Sequence, residues 1–224
     1  MSRSIVYTAI AGGYDTLKCA PESWLNEVGF VAFLNAPQPS AGWEMRSLYQ
    51  RFSDPCRNAK IHKVLSHRYF PDAEYSLWVD GSVTIEPTRT FTALIGEYLG
   101  SCDLAVFRHR FRRCIYQEGA WCLANRMDSS SKIRRQMQRY YDEQYPLNNG
   151  LAHCLLLFRR HTNKIKRFNE LWYHEIKNHS RRDQLSFNYA AHQLGVKIHY
   201  LPGSISDNPH FKLSPHVRKR FVVM

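Results

Sequence analysis

The chain is poor in acidic residues, in closely spaced cysteines and in long apolar runs. Nineteen Asp and Glu stand against 31 Lys and Arg, a formal charge of +12 over 224 residues. Such an imbalance predicts an anionic partner: nucleic acid, an acidic membrane surface or a phosphorylated small molecule. The six cysteines, at 19, 56, 102, 114, 122 and 154, contain no C-x-x-C pair. That argues against a cysteine-based zinc site or a thioredoxin motif, and for free thiols in a reducing compartment. No apolar stretch approaches the roughly 20 residues that cross a bilayer. No signal-type apolar region precedes the strand pattern that starts at Ile5. These absences predict a cytoplasmic protein, with peripheral contact at the inner face of a membrane as an option. There is no H-E-x-x-H, G-x-G-x-x-G, P-loop or zinc-deaminase signature, which removes the common zinc-hydrolase, dinucleotide and P-loop readings. Repeats, low-complexity tracts and linkers are also missing.

What is present reads as one α/β domain. Hydrophobic residues make up 44% of the chain and aromatics 13%, enough for a substantial core. Apolar runs at Ile5–Ile10, Phe30–Leu34, Tyr75–Val79, Leu104–Phe107, Gly150–Phe158 and Val196–Leu201 predict strands. Helical spacing follows Asp54-Pro55 and covers Pro87–Leu99, Ser129–Tyr141, Asn163–Lys177 and Arg182–Leu194. Alternation of the two predicts a mostly parallel central sheet flanked by helices over 1–224, with 203–224 as a tail that closes the site. Ligands of such sheets bind beyond the carboxyl ends of the strands.

The candidate residues therefore sit just after strands. Asp80 stands where Tyr75-Ser-Leu-Trp-Val stops, ahead of Gly81 and Ser82. A carboxylate there can hold a hard cation that neutralises a diphosphate, or simply make an Asp-Gly turn. Gly81 lets a ligand approach the backbone. Gly12-Gly13-Tyr14-Asp15 is either a nucleotide-accommodating turn or an ordinary loop. Arg57, Lys60 and Lys63, at i, i+3 and i+6, can grip phosphates or form a solvated face. Asn149 and Gly150 can contact a sugar or make a turn. Asp183 is a proton acceptor or a helix-dipole carboxylate, and Gln184 suits hydroxyl groups. In the tail, His210 or His216 can fold back onto an Asp80 metal site, and Lys212 can meet a phosphate.

Four segments occur in order: Cys56-Arg-Asn-Ala-Lys60-Ile-His-Lys63, Pro71-Asp-Ala-Glu-Tyr-Ser-Leu-Trp-Val-Asp80-Gly-Ser, His109-Arg-Phe-Arg-Arg-Cys-Ile-Tyr-Gln-Glu118 and Arg182-Asp183-Gln184-Leu-Ser-Phe187. Together they resemble the glycosyltransferase-like family called domain of unknown function 616, over roughly Tyr7 to Pro209. The resemblance implies a single GT-A-like domain, a nucleotide-sugar donor and a glycan or glycolipid acceptor, in surface polysaccharide or lipopolysaccharide synthesis. It implies a divalent metal, Mn2+ or Mg2+, on a D-x-D motif. Asp80-Gly81-Ser82 occupies that place, with Ser82 replacing the second carboxylate and Ser82 or His210 as further ligands. By the same resemblance Tyr7, Ala9 and Tyr14 cradle the base, and Arg57, Lys60 and Lys63 approach the donor sugar. Asn149 and Gly150 touch that sugar, and Asp183 with Gln184 faces the reacting centre.

Two other readings remain at this point. One is a non-catalytic nucleic-acid binder using the basic segment from Arg108 to Arg139, which lacks the aromatic platform of an RRM. The other is a metal-dependent hydrolase on the same scaffold. With the glycosyltransferase reading, the surplus charge of that segment is a surface for an acidic glycan or an anionic membrane, and no nucleic acid is expected.

Overall fold

The computed structural model describes residues 4–217. In chain order its elements are β1 (Ser4–Ile10), β2 (Gly29–Leu34), β3 (Glu44–Ser47), α1 (Pro55–Val64), α2 (Ser66–Tyr69), β4 (Tyr75–Val79), β5 (Val83–Ile85), α3 (Phe91–Leu99), β6 (Leu104–Arg108), α4 (Ile115–Ala124), α5 (Ser130–Asp142), β7 (Ala152–Arg160), α6 (Asn163–Asn178), α7 (Asp183–Gln193), β8 (His199–Leu201) and β9 (Phe211–Leu213). Seven strands form one sheet in the order β3-β2-β1-β4-β7-β6-β8. All pairings in it are parallel except the two that β7 makes, with β4 and with β6. The expected α/β class and mostly parallel sheet are therefore observed, with one reversed strand near the middle.

Side-chain alternation divides the core into two layers. Val6, Leu77, Val79, Leu156 and Phe158 face α3, whose Phe91, Leu94 and Leu99 are buried there with Trp24 and Phe211. Tyr7, Trp78, Leu157 and Cys154 face the opposite way, against Val64 of α1, Ile165, Phe168 and Trp172 of α6, and Phe187 of α7. Every strand of the centre is thus apolar on both faces, as a sheet covered by helices requires. The pair α4 and α5 packs beside α7 through Cys122, Ile133 and Leu185.

Local sequence accounts for the helix starts. Asp54 caps α1 by accepting from Cys56 N at 3.0 Å, with Pro55 at the first helical position. Thr90 and Thr162 cap α3 and α6 in the same way. The predicted start of α3 at Pro87 moves to Phe91 because Thr90 supplies that cap. The helix after Asp54 breaks at Leu65, whose ψ of 39° leaves the helical region, before α2 resumes. The sequence pattern does not predict β3, α4, the short 3-10 helix Glu22–Trp24, or the pair β5 and β9, which form a small antiparallel sheet of their own. That pairing turns the first part of the tail into structure; residues 218–224 of the expected closing tail lie outside the described residues. All six cysteines are free thiols, as expected. Among the described residues no helix is long and apolar enough to cross a membrane.

Candidate active site

A cavity of about 420 Å³ opens where the parallel strands end. β1 brings Ala9 and Ile10 to it, the turn after β1 brings Ala11, β4 brings Trp78, and the turn after β4 brings Asp80, Gly81 and Ser82. β7 contributes from its beginning, with His153, Cys154 and Leu155, because a reversed strand has its amino end at this edge. α1 supplies Lys60 and Lys63, the start of α7 supplies Asp183 and Gln184, and the tail supplies Leu213 and His216.

Four charged side chains lock together in the cavity wall. Lys63 Nζ lies 2.7 Å from Asp183 Oδ2 and 3.1 Å from Asp80 Oδ1, and Lys60 Nζ lies 2.7 Å from the same Asp183 oxygen. Lys60 and Lys63 are three residues apart on α1 and so share a face. The Lys63 side chain is 1% exposed. Its carbonyl accepts hydrogen bonds from Tyr7 Oη at 2.8 Å and Arg159 Nη2 at 2.7 Å. Trp78 Nε1 donates to Asp80 Oδ1 at 2.5 Å, and its ring centroid is 5.4 Å from Lys63 Nζ. Burial works against the Asp183 carboxylate, but Lys60, Lys63 and Arg182 outweigh it and hold the group well below the usual carboxylate range. Burial likewise opposes the Lys63 ammonium, and Asp183 and Asp80 more than restore it, above the ordinary lysine value. Both groups are charged at any working pH.

Two neighbours are neutral. Burial, and then His109, push the His153 imidazole down to about 4. Its ring centroid is 5.2 Å from that of His109. Burial raises the Cys154 thiol well above its ordinary value, which makes it a wall rather than a nucleophile. Gly81 fits tightly: a Cβ there would stand 3.0 Å from Asp15 Cβ and 3.1 Å from Ile10 Cδ1. Asp15 pairs through both carboxylate oxygens with His216 Nδ1, each at 3.0 Å, and the Tyr14 and His216 ring centroids are 4.4 Å apart.

Of the residues anticipated from sequence, the cavity gathers Ala9, Tyr14, Lys60, Lys63, Asp80, Gly81, Ser82, Asp183 and Gln184. The others lie elsewhere. Tyr7 points from β1 into the α1 and α6 layer and holds the Lys63 carbonyl. Arg57 departs from the lysine face because six residues of helix turn it about 120° away from Lys63. It instead donates to the carbonyls of Ile176, Lys177 and His179 and so caps the end of α6. Asn149 donates to Tyr145 Oη at 3.2 Å, and Gly150, at φ +79°, is packed under the Tyr200 hydroxyl. Lys212 lies on β9 with its ammonium 3.1 Å from Glu86, 70% exposed. His210 contacts Thr88 Oγ1 at 2.5 Å and does not line the cavity; the tail histidine that does is His216. Cavity residues not named as site residues from sequence include Trp78, Arg126, His153, Arg181 and Arg182. His153 and Leu155, half-buried between buried Ala152, Cys154 and Leu156, come from alternate positions near the start of β7.

The expected divalent metal does not fit these residues. Asp80 Oδ1 is already bonded by Lys63 and Trp78. Ser82 carries a buried Oγ with no hydrogen-bond partner, one neutral oxygen where a D-x-D motif has a carboxylate. His210 faces Thr88, and the Asp15 carboxylate is taken by His216. Among the described residues no three His, Cys, Asp or Glu are grouped to hold a metal ion.

The basic segment is partly consumed internally. Arg112 pairs with Glu118 and lies 4.5 Å from the Trp121 ring centroid, and Arg139 pairs with Glu175. Arg134 and Arg135 stay exposed on an open groove between α4 and α5, beside Tyr116, Leu123, Met137 and Tyr141.

Residues 43–203 match the family model described as TOD1/MUCI70, glycosyltransferase-like domain. A probable hexosyltransferase, MUCI70 of Arabidopsis thaliana, is 28% identical over 167 residues, covering 70% of this chain and 28% of that protein. The alkaline ceramidase TOD1 of the same plant is 24% identical over 158 residues, covering 66% and 34%. The chain thus matches about a third or less of the length of either relative. Mouse xyloside xylosyltransferase 1 resembles it in structure with a TM-score of 0.49 and 9% identity, over 89% of this chain and 84% of that one. A glycosyltransferase involved in glycosylation of the major capsid of PBCV-1 gives 0.47 and 8%, over 88% and 81%. Both scores are too low to bear on fold or function.

Proposed function

Because the chain belongs to the TOD1/MUCI70 glycosyltransferase-like domain family, we propose that it moves a sugar from a nucleotide-sugar donor to a hydroxyl of a glycan or glycolipid. The relative named as a probable hexosyltransferase supports a hexose as the transferred group. The observation that carries the reading is the cluster of Lys60, Lys63, Asp80 and Asp183 in the wall of a cavity large enough for a nucleotide. In the reaction the bond from the anomeric carbon to the diphosphate oxygen breaks, and its electron pair stays on the phosphate. The acceptor oxygen forms the new bond and gives up its proton.

Asp183, locked by three cations, suits stabilisation of positive charge on the sugar and is a weak proton acceptor. His153, a neutral imidazole lining the cavity, accepts a hydrogen bond from the acceptor hydroxyl, whose proton passes to the departing diphosphate as the new bond forms. Lys60 and Arg126 meet the developing charge of the leaving diphosphate. Gln184, whose amide lies at the same wall, hydrogen-bonds sugar hydroxyls. The exposed Arg134 and Arg135 support an acidic glycan, or an anionic membrane carrying the acceptor, as the second partner.

The test is a panel of uridine, guanosine and cytidine diphosphate sugars, with and without Mn2+, read as released nucleoside diphosphate and sugar product. One donor consumed slowly alone and faster with a polysaccharide acceptor is the expected result. A panel in which no donor is consumed and no nucleotide binds rejects the proposal.

A further inference from the structure

Lys63 stands between two carboxylates that come from distant parts of the chain. Its ammonium is within 3.1 Å of Asp80 at the end of β4 and within 2.7 Å of Asp183 at the start of α7. A positive centre shared by two carboxylates is the arrangement a bound divalent cation makes, but here the cation is attached to α1. Its position is set on every side. Tyr7 and Arg159 hold the carbonyl of the same residue, the Trp78 ring lies against the ammonium, and Trp78 Nε1 fixes the Asp80 oxygen that it meets. Asp183 has a second lysine, Lys60, on the same oxygen. The Lys63 side chain is buried, with its ammonium between the two carboxylates.

The surrounding donors agree. Where a metal-binding turn needs a second carboxylate the chain has Ser82, and the remaining acid at this end of the sheet, Asp15, is held by His216. A divalent ion entering beside Asp80 meets a fixed positive charge and finds one neutral hydroxyl. Cations able to face a diphosphate are nonetheless at hand: Lys60, the exposed Arg126 at the mouth, and Arg182.

We infer that Lys63 is a built-in counter-charge standing in for the divalent ion, so that donor binding and departure of the nucleoside diphosphate need no metal. The inference rests on the glycosyl-transfer reading for the identity of the ligand. Lys63 keeps Asp80 and Asp183 from repelling the incoming phosphates, and Lys60, Arg126 and Arg182 receive the charge that develops on them.

The test uses the whole protein after chelator treatment. Uridine, guanosine and cytidine diphosphate are titrated by calorimetry in EDTA and again in Mn2+, and Mn2+ uptake is followed separately by its free-ion paramagnetic signal. The expected result is one nucleotide binding with an affinity that differs less than about threefold between the two conditions, while the free Mn2+ signal is undiminished by protein alone. Lys63→Met is expected to weaken that nucleotide at least tenfold in EDTA; if this variant does not fold, the wild-type titrations decide alone. Nucleotide binding that appears only with Mn2+, or stoichiometric Mn2+ uptake that Asp80→Asn abolishes, overturns the inference and leaves the transfer reading intact. No nucleotide binding in either condition overturns both.

Discussion

His216 reaches back across 201 residues to place Nδ1 3.0 Å from each carboxylate oxygen of Asp15. The contact ties the tail to the glycine turn after β1 and puts an aromatic ring over Tyr14 at the cavity mouth. The His216 side chain is 39% exposed, so the pair itself contributes at most about 1 kcal/mol to stability. Its effect belongs to binding. His216→Ala is expected to raise the donor KM several-fold and to move the melting temperature by less than about 3 °C. An unchanged KM would remove the tail from the site.

Asp183→Asn tests the ion cluster. The substitution leaves Lys63 buried with Asp80 as its remaining carboxylate, and breaking a buried pair in this way costs about 3–5 kcal/mol. Transfer is expected to fall at least a hundredfold with nucleotide binding retained. Lys60→Met alone is expected to destabilise less, because Asp183 keeps Lys63. A double variant whose loss of stability is smaller than the sum of the two singles would show the coupling directly. Normal turnover by Asp183→Asn would exclude Asp183 from the reacting centre.

The same residues mark what the sequence made legible. Asp80 was readable because a continuous apolar strand stops at Asp-Gly, and Lys60 with Lys63 because helical spacing puts them on one face. His153 was not, since a search just beyond the carboxyl ends of strands assumes that all strands run one way, and β7 is reversed. The pair β5 and β9 joins two three-residue strands far apart in sequence, so neither carries a local signal. The choice between His210 and His216 was decided by that pairing, which fixes where the tail turns. α4 was hidden in the basic segment because its buried face carries Glu118, an acid that receives Arg112 and Arg182 from outside the helix.

Four histidines make the fold acid-sensitive. Burial, the largest cause in each, pushes His62, His109 and His153 down to about 4 and His161 to about 3. His62 is held in its neutral form, with Nε2 accepting from Tyr49 N at 3.2 Å and Nδ1 facing the Asn58 carbonyl at 3.1 Å. In the unfolded chain each histidine takes a proton near 6.5. Between pH 6.5 and 4 the unfolded state therefore holds more protons, and stability falls as the pH falls. The contribution is complete above about pH 6.5 and is lost progressively towards pH 4, on the order of 2 kcal/mol for a group as buried as His62. Urea midpoints at pH 7.5, 6 and 5 are expected to decline in that order; a flat profile would contradict the neutral assignment.

Gly150→Ala separates fold from site. The residue has φ +79°, and an added Cβ would lie 2.6 Å from the Tyr200 hydroxyl, which accepts from Asn188 Nδ2 at 2.8 Å. Strain of this kind costs about 1–3 kcal/mol. The residue does not line the cavity, so the melting temperature is expected to drop by several degrees while the donor KM stays within about twofold. A raised KM without loss of stability would return the turn at Asn149 and Gly150 to the sugar site.

Arg134 and Arg135 are, with Lys132, basic residues that α5 leaves in solvent, whereas Arg112 and Arg139 are paired with Glu118 and Glu175. Their groove carries the rings of Tyr116 and Tyr141, a surface on which sugars can stack and to which acidic groups are drawn. It is separate from the cavity that holds Asp80 and Asp183. The double substitution Arg134→Ser, Arg135→Ser is therefore expected to raise the KM for an acidic polysaccharide acceptor at least fivefold at low salt and to leave the donor KM unchanged. Because exposed charges are screened within about 10 Å at 0.1 M salt, the wild-type advantage should shrink as salt is added. The same variant assayed on vesicles containing a fifth anionic lipid distinguishes the two partners: weakened vesicle binding with a normal acceptor KM assigns the groove to a membrane. A donor KM that rises while acceptor and vesicle binding stay normal would instead join these arginines to the nucleotide site and reject the division of the charge.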